Sequence, residues 1–243
     1  MCRVSFRQRC RPLGRCSAKD RFSAVTSLFV SGSGTNVGKT FVTTILLNEI
    51  RQAGIACTAV KPVISGFDDD GPGESDTALI LEALGRDVTR NSIDEISPWR
   101  FREPISPDMA AAHEGRALDI QEIARFCDAN GALNSIRIIE GVGGVMVPLT
   151  EQATILDLMV EVAAPVLLVA GSYLGTLSHT LTALHAVQNR GLTVAGVVIS
   201  ESLESPVPLS ETQATLSRFA GKVPVVTLPR DGSSEIAKEI GLI

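Results

Sequence analysis

The stretch LFVSGSGTNVGKTF, residues 28–41, combines an apolar strand, a glycine-rich turn and the start of a helical pattern. Gly38, Lys39 and Thr40 form the Gly-Lys-Thr ending of a phosphate-binding loop, whose backbone N–H groups and helix N-terminus attract phosphate oxygens. The general template has four residues between its first glycine and this ending, and it would place that glycine at Ser33. The strand–turn–helix context still favours a nucleotide site over a tight turn with a solvated lysine.

The composition predicts a globular α/β protein with an aliphatic core. The chain has 243 residues, of which 44% are hydrophobic and 4% aromatic. This length favours one large domain and leaves two small domains as an alternative. No apolar run reaches the roughly 18 residues needed to cross a bilayer, so we expect no membrane association. The net charge of −5 predicts a surface that repels the phosphates of nucleic acid.

Residues 1–26 differ in character from the rest of the chain, because they hold six arginines, one lysine and a single acid, Asp20. We interpret this head as a basic, disordered extension of a cytoplasmic protein; the alternative is an organelle transit peptide. The head has no apolar signal region, so disulfides are not expected, and Cys2, Cys10 and Cys16 lack metal-ligand spacing. Cys57 and Cys127 are expected to be small core residues.

After the head, short Val- and Ile-rich runs alternate with helical patterns. The apolar runs do not alternate with polar residues, which is typical of strands buried on both faces of a parallel sheet. The predicted strands are 27–31, 56–63, 135–140, 165–170, 193–199 and 223–228. The predicted helices are 39–53, 76–84, 119–129, 154–162, 176–190 and 209–220, the fifth with a core-facing stripe of Leu177, Leu181, Leu184 and Val187. The order predicts a doubly wound, mainly parallel sheet within residues 27–243, with a mobile loop at 66–75.

Ligands of such sheets bind beyond the carboxyl ends of the strands. In AVKPVISG, Lys61 follows the second strand and Pro62 biases it towards an extended backbone. Taken alone, Lys61 would be interpreted as a surface lysine. Beside a phosphate site, it becomes a candidate for stabilising a transferring phosphoryl group, and Ser65 becomes a candidate substrate contact.

Two carboxylates complete the pattern. Glu140 ends the strand SIRIIE before a glycine-rich turn, where enzymes with phosphate-binding loops place a Mg²⁺ ligand. Asp76 begins the helix in ESDTALI, although Ser75 or Asp76 also suits a plain N-cap. With Thr40, these residues are predicted to form the oxygen site that Mg²⁺ prefers. Gly141, Gly143 and Gly144 would let the backbone approach the phosphates.

The histidines point to no separate chemistry. His113, His179 and His185 lie far apart and have no Cys or acid at metal-ligand spacing. No Ser/His/Asp or Cys/His arrangement is visible, so covalent catalysis by the protein is not supported.

These pieces, in this order, resemble the ATP-dependent dethiobiotin synthetase family. The matching stretches are GSGTNVGKT, KPVISG, ESDTALI, EPISP, EGVGGVMVPL, SYLGTLSHT, GLTVAGVVIS and TLPRDG, between about residues 27 and 232. The family's phosphate loop has five residues between its first glycine and the Gly-Lys-Thr ending, which is the spacing from Gly32 to Gly38. The resemblance implies a homodimer that closes the ureido ring of dethiobiotin from 7,8-diaminononanoate, CO₂ and ATP with Mg²⁺.

The resemblance also implies roles for individual residues. Lys39 and Lys61 would be catalytic, and Thr40, Asp76 and Glu140 would hold the metal. The nucleotide would contact Asn36, Val37, Gly38, Lys39, Thr40, Phe41, Asp76, Glu140, Gly141, Val142, Gly143, Ser200, Pro229, Arg230 and Asp231. The substrate would contact Thr35, Ser65, Leu174, Gly175 and Thr176, with its carboxylate at the N-terminus of the helix that begins there.

The chain departs from the family pattern at three places. Asn36 stands where relatives have Glu or Gly, which removes a direct role for such a side chain. Asp108 replaces a histidine that often follows the Ser-Pro pair. Ser200 and Glu201 replace an Asn-Asp pair that reads the adenine, and a serine lacks the paired donor and acceptor of an amide. Base specificity is then either loose or set by the backbone after Pro229.

Two other functions share this type of loop. A cobyrinic acid amide synthase normally carries a glutaminase domain, for which a chain ending at Ile243 is expected to have no room. A switch ATPase of the chromosome-partitioning or cell-division type usually has an extra lysine early in the loop, where this chain has Gly, Ser, Thr and Asn. Turnover of ATP without any diamine would favour the switch ATPase.

Overall fold

The computed structural model describes residues 26–129 and 135–243. The predicted basic extension, with Cys2, Cys10 and Cys16, lies outside the described residues except for Thr26, with which the first strand begins. Within the described residues, no helix is long and apolar enough to cross a membrane.

The described residues form one main parallel sheet and a small second sheet. The strands are β1 (Thr26–Gly32), β2 (Cys57–Val60), β3 (Val63–Ser65), β4 (Trp99–Phe101), β5 (Ile136–Gly144), β6 (Val166–Ala170), β7 (Val194–Ser200) and β8 (Val225–Leu228). The main sheet has the order β2-β5-β1-β6-β7-β8, and all of its strand pairs are parallel. The predicted doubly wound α/β fold is confirmed.

Nine helices connect the strands within the described residues: α1 (Lys39–Gln52), α2 (Asp76–Ala83), α3 (Arg90–Ile96), α4 (Pro107–His113), α5 (Ile120–Ala129), α6 (Ile155–Val162), α7 (Thr176–Asn189), α8 (Leu209–Phe219) and α9 (Ile236–Glu239). The six predicted helices are present, whereas α3, α4 and α9 were not predicted. These three have seven, seven and four residues, too few for a periodic pattern to stand out. The loop at 66–75 contains a short 3₁₀ turn, Pro72–Glu74.

The predicted strand 56–63 is wrong in its extent, because the strand is interrupted at Lys61 and Pro62 and forms two separate strands, β2 and β3. Pro62 has no N–H to donate to a sheet, and after it the chain leaves the main sheet to pair with β4 as β3. Backbone bonds from Lys61 N to Ile96 O (2.9 Å) and from Trp99 N to Pro62 O (3.1 Å) fix this corner. The break places the Lys61 side chain at the carboxyl end of β2.

Both faces of the main sheet are covered by apolar side chains, as expected of a doubly wound fold. Alternate residues of β1 point to opposite faces: Phe29 packs in one core cluster with α5 to α8, and Leu28 and Val30 pack in the other with α1, α2, α3 and α9. The central position of β1 is therefore set by full burial, and the loop that follows it leaves from the middle of the sheet.

The predicted stripe on α7 is only partly correct. Leu184 and Val187 are buried, but Leu177 is 37% exposed, and Thr176 and Thr180 are buried in its place. The helix therefore directs hydroxyl groups inward at its first turns.

The two described cysteines are free. Cys127 is fully buried, and burial raises the pKa of its thiol to about 12. Cys57 is only partly buried, so the expectation of a core position holds better for Cys127.

Candidate functional site

The phosphate loop folds around two residues in the left-handed region of backbone space. Gly38 has φ of +92° and forms the N-cap of α1. Asn36 has φ of +58°, a conformation that asparagine tolerates better than most residues. The conformation gives position 36 a backbone role, and this explains why a glycine or an asparagine suits it.

Close backbone packing holds the same loop from the other side. A Cβ on Gly144 would lie 3.1 Å from the Cα of Gly34, so the end of β5 lies directly against the loop. Gly141 instead packs under the ring of Phe29, where a Cβ would lie 2.9 Å from Cε1. Gly143 and Gly144 therefore lie against the phosphate loop, whereas Gly141 packs on Phe29; their role near phosphates stays a prediction.

Lys39 begins α1 and curls back over the loop. It is 8% exposed, and its Nζ donates a 3.3 Å hydrogen bond to the carbonyl oxygen of Gly34. Burial, together with the nearby positive charge of Lys61, lowers the pKa of Lys39 to about 8. An anion bound in the loop would therefore stabilise the charged form of Lys39.

Lys61 lies at the centre of a buried network that joins three distant parts of the chain. Its Nζ donates to Asp76 Oδ2 at 2.5 Å and to Glu140 Oε1 at 2.6 Å. The hydroxyl of Thr40 donates to the same Glu140 Oε1 at 2.8 Å. Lys61, Thr40, Asp76 and Glu140, predicted separately from the ends of elements, thus form one contiguous site.

The charges in this network stabilise one another. Burial alone would lower the pKa of Lys61, but the carboxylates of Glu140 and Asp76 hold that pKa above its ordinary value. Burial likewise opposes ionisation of Asp76, yet the Lys61 ammonium keeps the pKa of that carboxyl below its usual range. Lys61 and Asp76 therefore both favour their charged forms, an ammonium beside a carboxylate.

Local sequence explains how Asp76 reaches the site. Ser75, rather than Asp76, is the N-cap of α2, since its Oγ accepts a 3.2 Å bond from the N–H of Ala78. Asp76 follows at the first helical position, and its side chain is free to point towards Lys61. The sequence left Ser75 and Asp76 as alternative caps, and the structure assigns the cap to Ser75.

The oxygen atoms around Lys61 fit a divalent cation. Glu140 is fully buried, and its Oε2 has no hydrogen-bond partner among the described residues. A buried carboxylate oxygen without a partner is costly unless a cation or donor satisfies it. Residues 26–129 and 135–243 contain no cluster of three or more His, Cys, Asp or Glu side chains suited to a metal, so a site here would combine the hydroxyl of Thr40 with the carboxylates of Asp76 and Glu140.

A cavity of about 430 Å³, here called the loop cavity, opens above this network. Its walls are largely the predicted site residues: Thr35, Asn36, Gly38, Lys39, Thr40, Phe41, Lys61, Ile64, Ser65, Asp76, Pro104, Val142 and Gly143. Predicted phosphate, metal and substrate residues therefore line one cavity, although the buried Glu140 and Gly141 are not among its lining residues.

A second cavity of about 370 Å³, here called the β7 cavity, continues from the loop cavity. Asn36, Gly38 and Phe41 line both, and the β7 cavity adds Val37, Ser200, Glu201, Ser202, Leu203 and Arg230. Glu201 holds the backbone at Arg230 in place, because its Oε2 accepts a 3.0 Å hydrogen bond from the backbone N–H of Arg230. Ser200 packs so closely on the loop that a Cβ on Gly38 would lie 2.5 Å from its Oγ.

Several predicted residues do not reach these cavities. Leu174, Gly175 and Thr176 line neither; Leu174 is 87% exposed, and Thr176 donates from Oγ1 to the carbonyl of Gly171 at 2.6 Å. Pro229 and Asp231 flank Arg230, and Asp231 accepts bonds from Ser233 within its own turn.

Asp108 serves its own helix. Its carboxylate accepts a hydrogen bond from the hydroxyl of Ser106 at the start of α4, and it lines neither the loop cavity nor the β7 cavity.

Tyr173 and His179 were not predicted to belong to the site. The Tyr173 hydroxyl hydrogen-bonds His179 Nδ1 at 2.9 Å and lies 4.0 Å from the position of a Cβ on Gly34. The tyrosine thus reaches the phosphate loop from the end of β6. Their spacing of six residues carries no motif, so only the pairing of β6 beside β1 reveals the contact.

A larger cavity of about 520 Å³ lies elsewhere on the surface and contains none of the predicted site residues. Arg90, Arg100, Arg102 and Arg116 are among its lining residues. Three of these arginines are paired with Asp69, Asp94 or Glu114.

Comparison with known proteins gives a consistent result. A family model described as "AAA domain" matches residues 26–233. The chain is 44% identical over 219 residues to the ATP-dependent dethiobiotin synthetase BioD of Caulobacter vibrioides (strain NA1000 / CB15N), covering 89% of this chain and 98% of the relative. It is 45% identical over 215 residues to the protein of the same name from Phenylobacterium zucineum (strain HLK1), covering 87% and 92%.

Among solved structures, a ParA family ATPase from Chlorobium tepidum TLS superposes with a TM-score of 0.52 at 12% identity. The match covers 90% of this chain and 88% of that chain. At this identity the likeness concerns the fold, a parallel sheet with helices on both faces.

Proposed function

The chain belongs to the ATP-dependent dethiobiotin synthetase family, and we propose that it closes the ureido ring of dethiobiotin from 7,8-diaminononanoate, CO₂ and ATP. The observation that carries this proposal is the convergence of Lys61, Asp76, Glu140 and Thr40 directly beneath the phosphate loop. The related amide ligases and switch ATPases share the loop, but the two relatives reported above, which are 44% and 45% identical to this chain, are dethiobiotin synthetases.

In the proposed reaction, the substrate supplies the nucleophiles. One amine adds to CO₂ to form a carbamate and releases a proton, and a carbamate oxygen then takes the γ-phosphoryl group of ATP, which leaves ADP. The second amine attacks the carbonyl carbon of this mixed anhydride; the new C–N bond closes the ring as the C–O bond to phosphate breaks and a proton is lost. The protein therefore needs positioning and charge stabilisation rather than a nucleophile of its own.

The residues of the loop cavity suit these tasks. Lys39 and the N-terminus of α1 would hold the phosphate oxygens. Lys61 would offset negative charge on the carbamate and the transferring phosphoryl group, and Ser65 would hydrogen-bond the substrate beside it. When bound to Thr40, Asp76 and Glu140, Mg²⁺ would supply charge neutralisation at the phosphates.

The β7 cavity suits the base of the nucleotide. It adjoins the loop cavity through Asn36, Gly38 and Phe41, so a nucleotide with its phosphates in the loop extends towards Ser200 and Arg230. The backbone N–H of Arg230 is fixed by Glu201. This favours the alternative in which the backbone after Pro229 contributes to base recognition.

We also propose that the protein acts as a homodimer in which the start of α7 completes the substrate site of the partner subunit. The support is that Leu174 is almost fully exposed and that Leu174, Gly175 and Thr176 line neither cavity of their own subunit. Leu177, three residues further along the chain, is 37% exposed. An N-terminus of α7 presented in this way would bind the substrate carboxylate.

The direct test is an assay of ring closure. The full chain is incubated with 7,8-diaminononanoate, bicarbonate and Mg-ATP, and dethiobiotin is sought by mass spectrometry, with each reactant omitted in turn. We expect dethiobiotin only in the complete mixture and ADP release that depends on the diamine. A protein that binds ATP but forms no dethiobiotin, or that turns over ATP equally without diamine, contradicts the proposal.

A pair of variants assigns the activity to this site. Lys61→Gln keeps a hydrogen-bond donor beside the carboxylates but removes the charge, so we expect retained nucleotide binding and loss of product. Lys222→Ala changes an exposed lysine outside both cavities and should leave product formation unchanged.

A further inference from the structure

Lys61 occupies the same oxygen atoms that the proposed metal site would use. Its ammonium lies 2.5 Å from Asp76 Oδ2 and 2.6 Å from Glu140 Oε1, and Thr40 shares that Glu140 oxygen at 2.8 Å. One buried side chain thus bonds one oxygen of each acidic ligand, and the oxygen that it bonds on Glu140 also accepts the hydrogen bond from Thr40. This arrangement, which rests on the proposed function, raises the question of where Lys61 goes when a metal binds.

We propose that Lys61 and a divalent cation bind the Asp76 and Glu140 carboxylates in exchange, so that Lys61 is released towards the reacting groups only when the metal is bound. Lys61 then has two roles: it occupies the metal site before the metal binds, and it acts as a catalytic residue afterwards. The exchange couples two requirements of phosphoryl transfer, a bound metal and a free ammonium, in one step.

Electrostatics supports exchange over joint occupancy. A Mg²⁺ ion bonds oxygen at about 2.1 Å, closer than the ammonium does, and would stand within a few ångströms of Nζ if both stayed on these atoms. Repulsion between cations at such distances is strong in a buried site, where the effective dielectric is low. Lys61 is 3% exposed and Glu140 is fully buried, so solvent screens this pair poorly.

The charges of the site indicate when the metal replaces Lys61 on the carboxylates. Two carboxylates face Lys61, and Lys39 brings a second positive charge close to them. A bare metal ion would make this cluster strongly positive, whereas a metal that arrives with a triphosphate brings compensating negative charge. Lys61 should therefore oppose metal binding in the nucleotide-free protein and oppose it much less once phosphates are present.

The released side chain has a place to go. Lys61 lines the loop cavity together with Lys39, Ser65 and Asp76, so its ammonium can turn from the carboxylates into that cavity. The cavity is where the carbamate and the γ-phosphoryl group would meet. Glu140 does not line the cavity, but its buried Oε2 has no partner among the described residues and is a carboxylate oxygen that Lys61 does not use.

Metal affinity without nucleotide tests the proposal. Mn²⁺ binding to the nucleotide-free full chain is titrated by electron paramagnetic resonance for wild type, Lys61→Gln and Lys61→Arg. Removing a nearby unit charge should strengthen Mn²⁺ binding by at least about tenfold in Lys61→Gln, whereas Lys61→Arg, which keeps the charge, should stay within roughly threefold of wild type. Adding Glu140→Gln to Lys61→Gln should abolish the gain.

An equal Mn²⁺ affinity in wild type and Lys61→Gln overturns the proposal, as does a gain that survives Glu140→Gln. A second measurement on the wild-type chain decides the matter if Lys61→Gln does not fold. The Lys61 ammonium signal, assigned by its loss in Lys61→Arg, is followed by ¹H–¹⁵N NMR while Mg²⁺ is added at saturating ADP. A shift or loss of the signal on adding Mg²⁺ supports exchange, and an unchanged signal refutes it.

These measurements need no diamine. Stronger Mn²⁺ binding in Lys61→Gln, with no dethiobiotin formed by the wild-type chain, would contradict the proposed reaction and still support the exchange. Dethiobiotin formation with unchanged metal affinity would do the reverse.

Discussion

The hydroxyl of Thr40 donates a 2.8 Å hydrogen bond to Glu140 Oε1, joining residues that lie 100 positions apart in the chain. Thr40 stands in the first turn of α1, and Glu140 lies in β5 beside Val30 of β1. Because β1 and β5 are parallel neighbours, the helix that follows β1 starts next to the place where β5 ends. The bond holds a fully buried carboxylate against the phosphate loop.

Thr40→Val tests this bond, since valine keeps the branched shape and removes the hydroxyl. We expect the rate of dethiobiotin formation to fall roughly 10- to 100-fold, the range typical of groups that hold or orient metal ligands. Affinity for Mg-ADP should fall as well, while affinity for ADP without metal changes little. Initial rates and calorimetric titrations measure these effects.

Thr43→Val is the matched control, one turn further along α1. Thr43 is fully buried and its hydroxyl has no hydrogen-bond partner among the described residues. Removing a buried hydroxyl without a partner should leave the rate unchanged and keep or raise the melting temperature. An equal loss of activity in both variants would show that α1 packing, rather than the Thr40 hydroxyl, is responsible.

A second prediction concerns Glu201, which fixes the backbone N–H of Arg230 at 3.0 Å. Glu201→Ala removes the hydrogen bond that fixes this wall of the β7 cavity. We expect the KM for ATP to rise roughly threefold or more, because a single hydrogen bond contributes only modestly to binding, and kcat to stay nearly unchanged. Discrimination between ATP and GTP should decrease in the same variant. Steady-state kinetics with both nucleotides measure the effect.

Glu204→Ala serves as the control for Glu201→Ala. Glu204 is exposed, three residues further along, and lines neither cavity. It should behave as wild type. A change in kcat alone for Glu201→Ala would assign Glu201 to the chemistry instead of to the base.

A third prediction concerns the exposed start of α7. Leu174→Arg places a charge on a surface that the proposed dimer buries, so we expect a shift from dimer to monomer in analytical ultracentrifugation and loss of dethiobiotin formation. Binding of ATP should remain, because Leu174 lines neither cavity.

Phe219→Ser is its control, since Phe219 is 66% exposed at the end of α8. We expect it to leave the dimer intact. A Leu174→Arg protein that remains dimeric and active would place the subunit interface elsewhere.

The features that were predicted correctly share a local cause. The main-sheet strands are buried on both faces, so continuous runs of Val, Ile and Leu identify them even where the predicted extent was wrong. This was the case for β2 and for β5, which continues through the glycines to Gly144 instead of ending at Glu140. The phosphate loop is recognisable because its Gly-Lys-Thr ending must adopt one backbone shape. Lys61 and Asp76 do stand at the ends of elements, whereas Glu140 lies inside β5. The three side chains meet because β2, β5 and β1 are parallel neighbours in one sheet. Their roles at the site stay predictions.

The features that were missed depend on contacts between distant parts of the chain. β4 has three residues and becomes a strand only by pairing with β3 after the break at Pro62. The exposure of Leu177 depends on what α7 packs against, which periodicity does not contain. Tyr173 was missed because it reaches the phosphate loop through a contact with Gly34. Asn36 was named as a nucleotide contact, but its positive φ was not predicted.

The last prediction tests a stabilising contact outside the site. Asp157, in the first turn of α6, accepts 2.8 Å bonds from the backbone N–H and the hydroxyl of Thr154, and it also pairs with Arg190. The backbone hydrogen bond from Thr154 is the main reason that the pKa of Asp157 lies below its usual value. Because the folded protein lowers this pKa, the carboxylate stabilises the fold above the unfolded value near 3.8, and that contribution is lost as the pH falls through the folded value.

Asp157→Ala should therefore lower stability by about 1 kcal/mol at pH 7, or about 2–4 °C in melting temperature for a chain of this size, with activity at low temperature unchanged. The difference from wild type should stay constant from pH 8 to pH 5 and shrink below about pH 4, where wild type also loses the charge. Glu161→Ala, which changes an exposed acid on the same helix, should stay within about 0.5 kcal/mol of wild type at every pH. Thermal melts across this pH range decide the matter, and a difference that does not depend on pH would mean that Asp157 stabilises α6 by packing rather than by its charge.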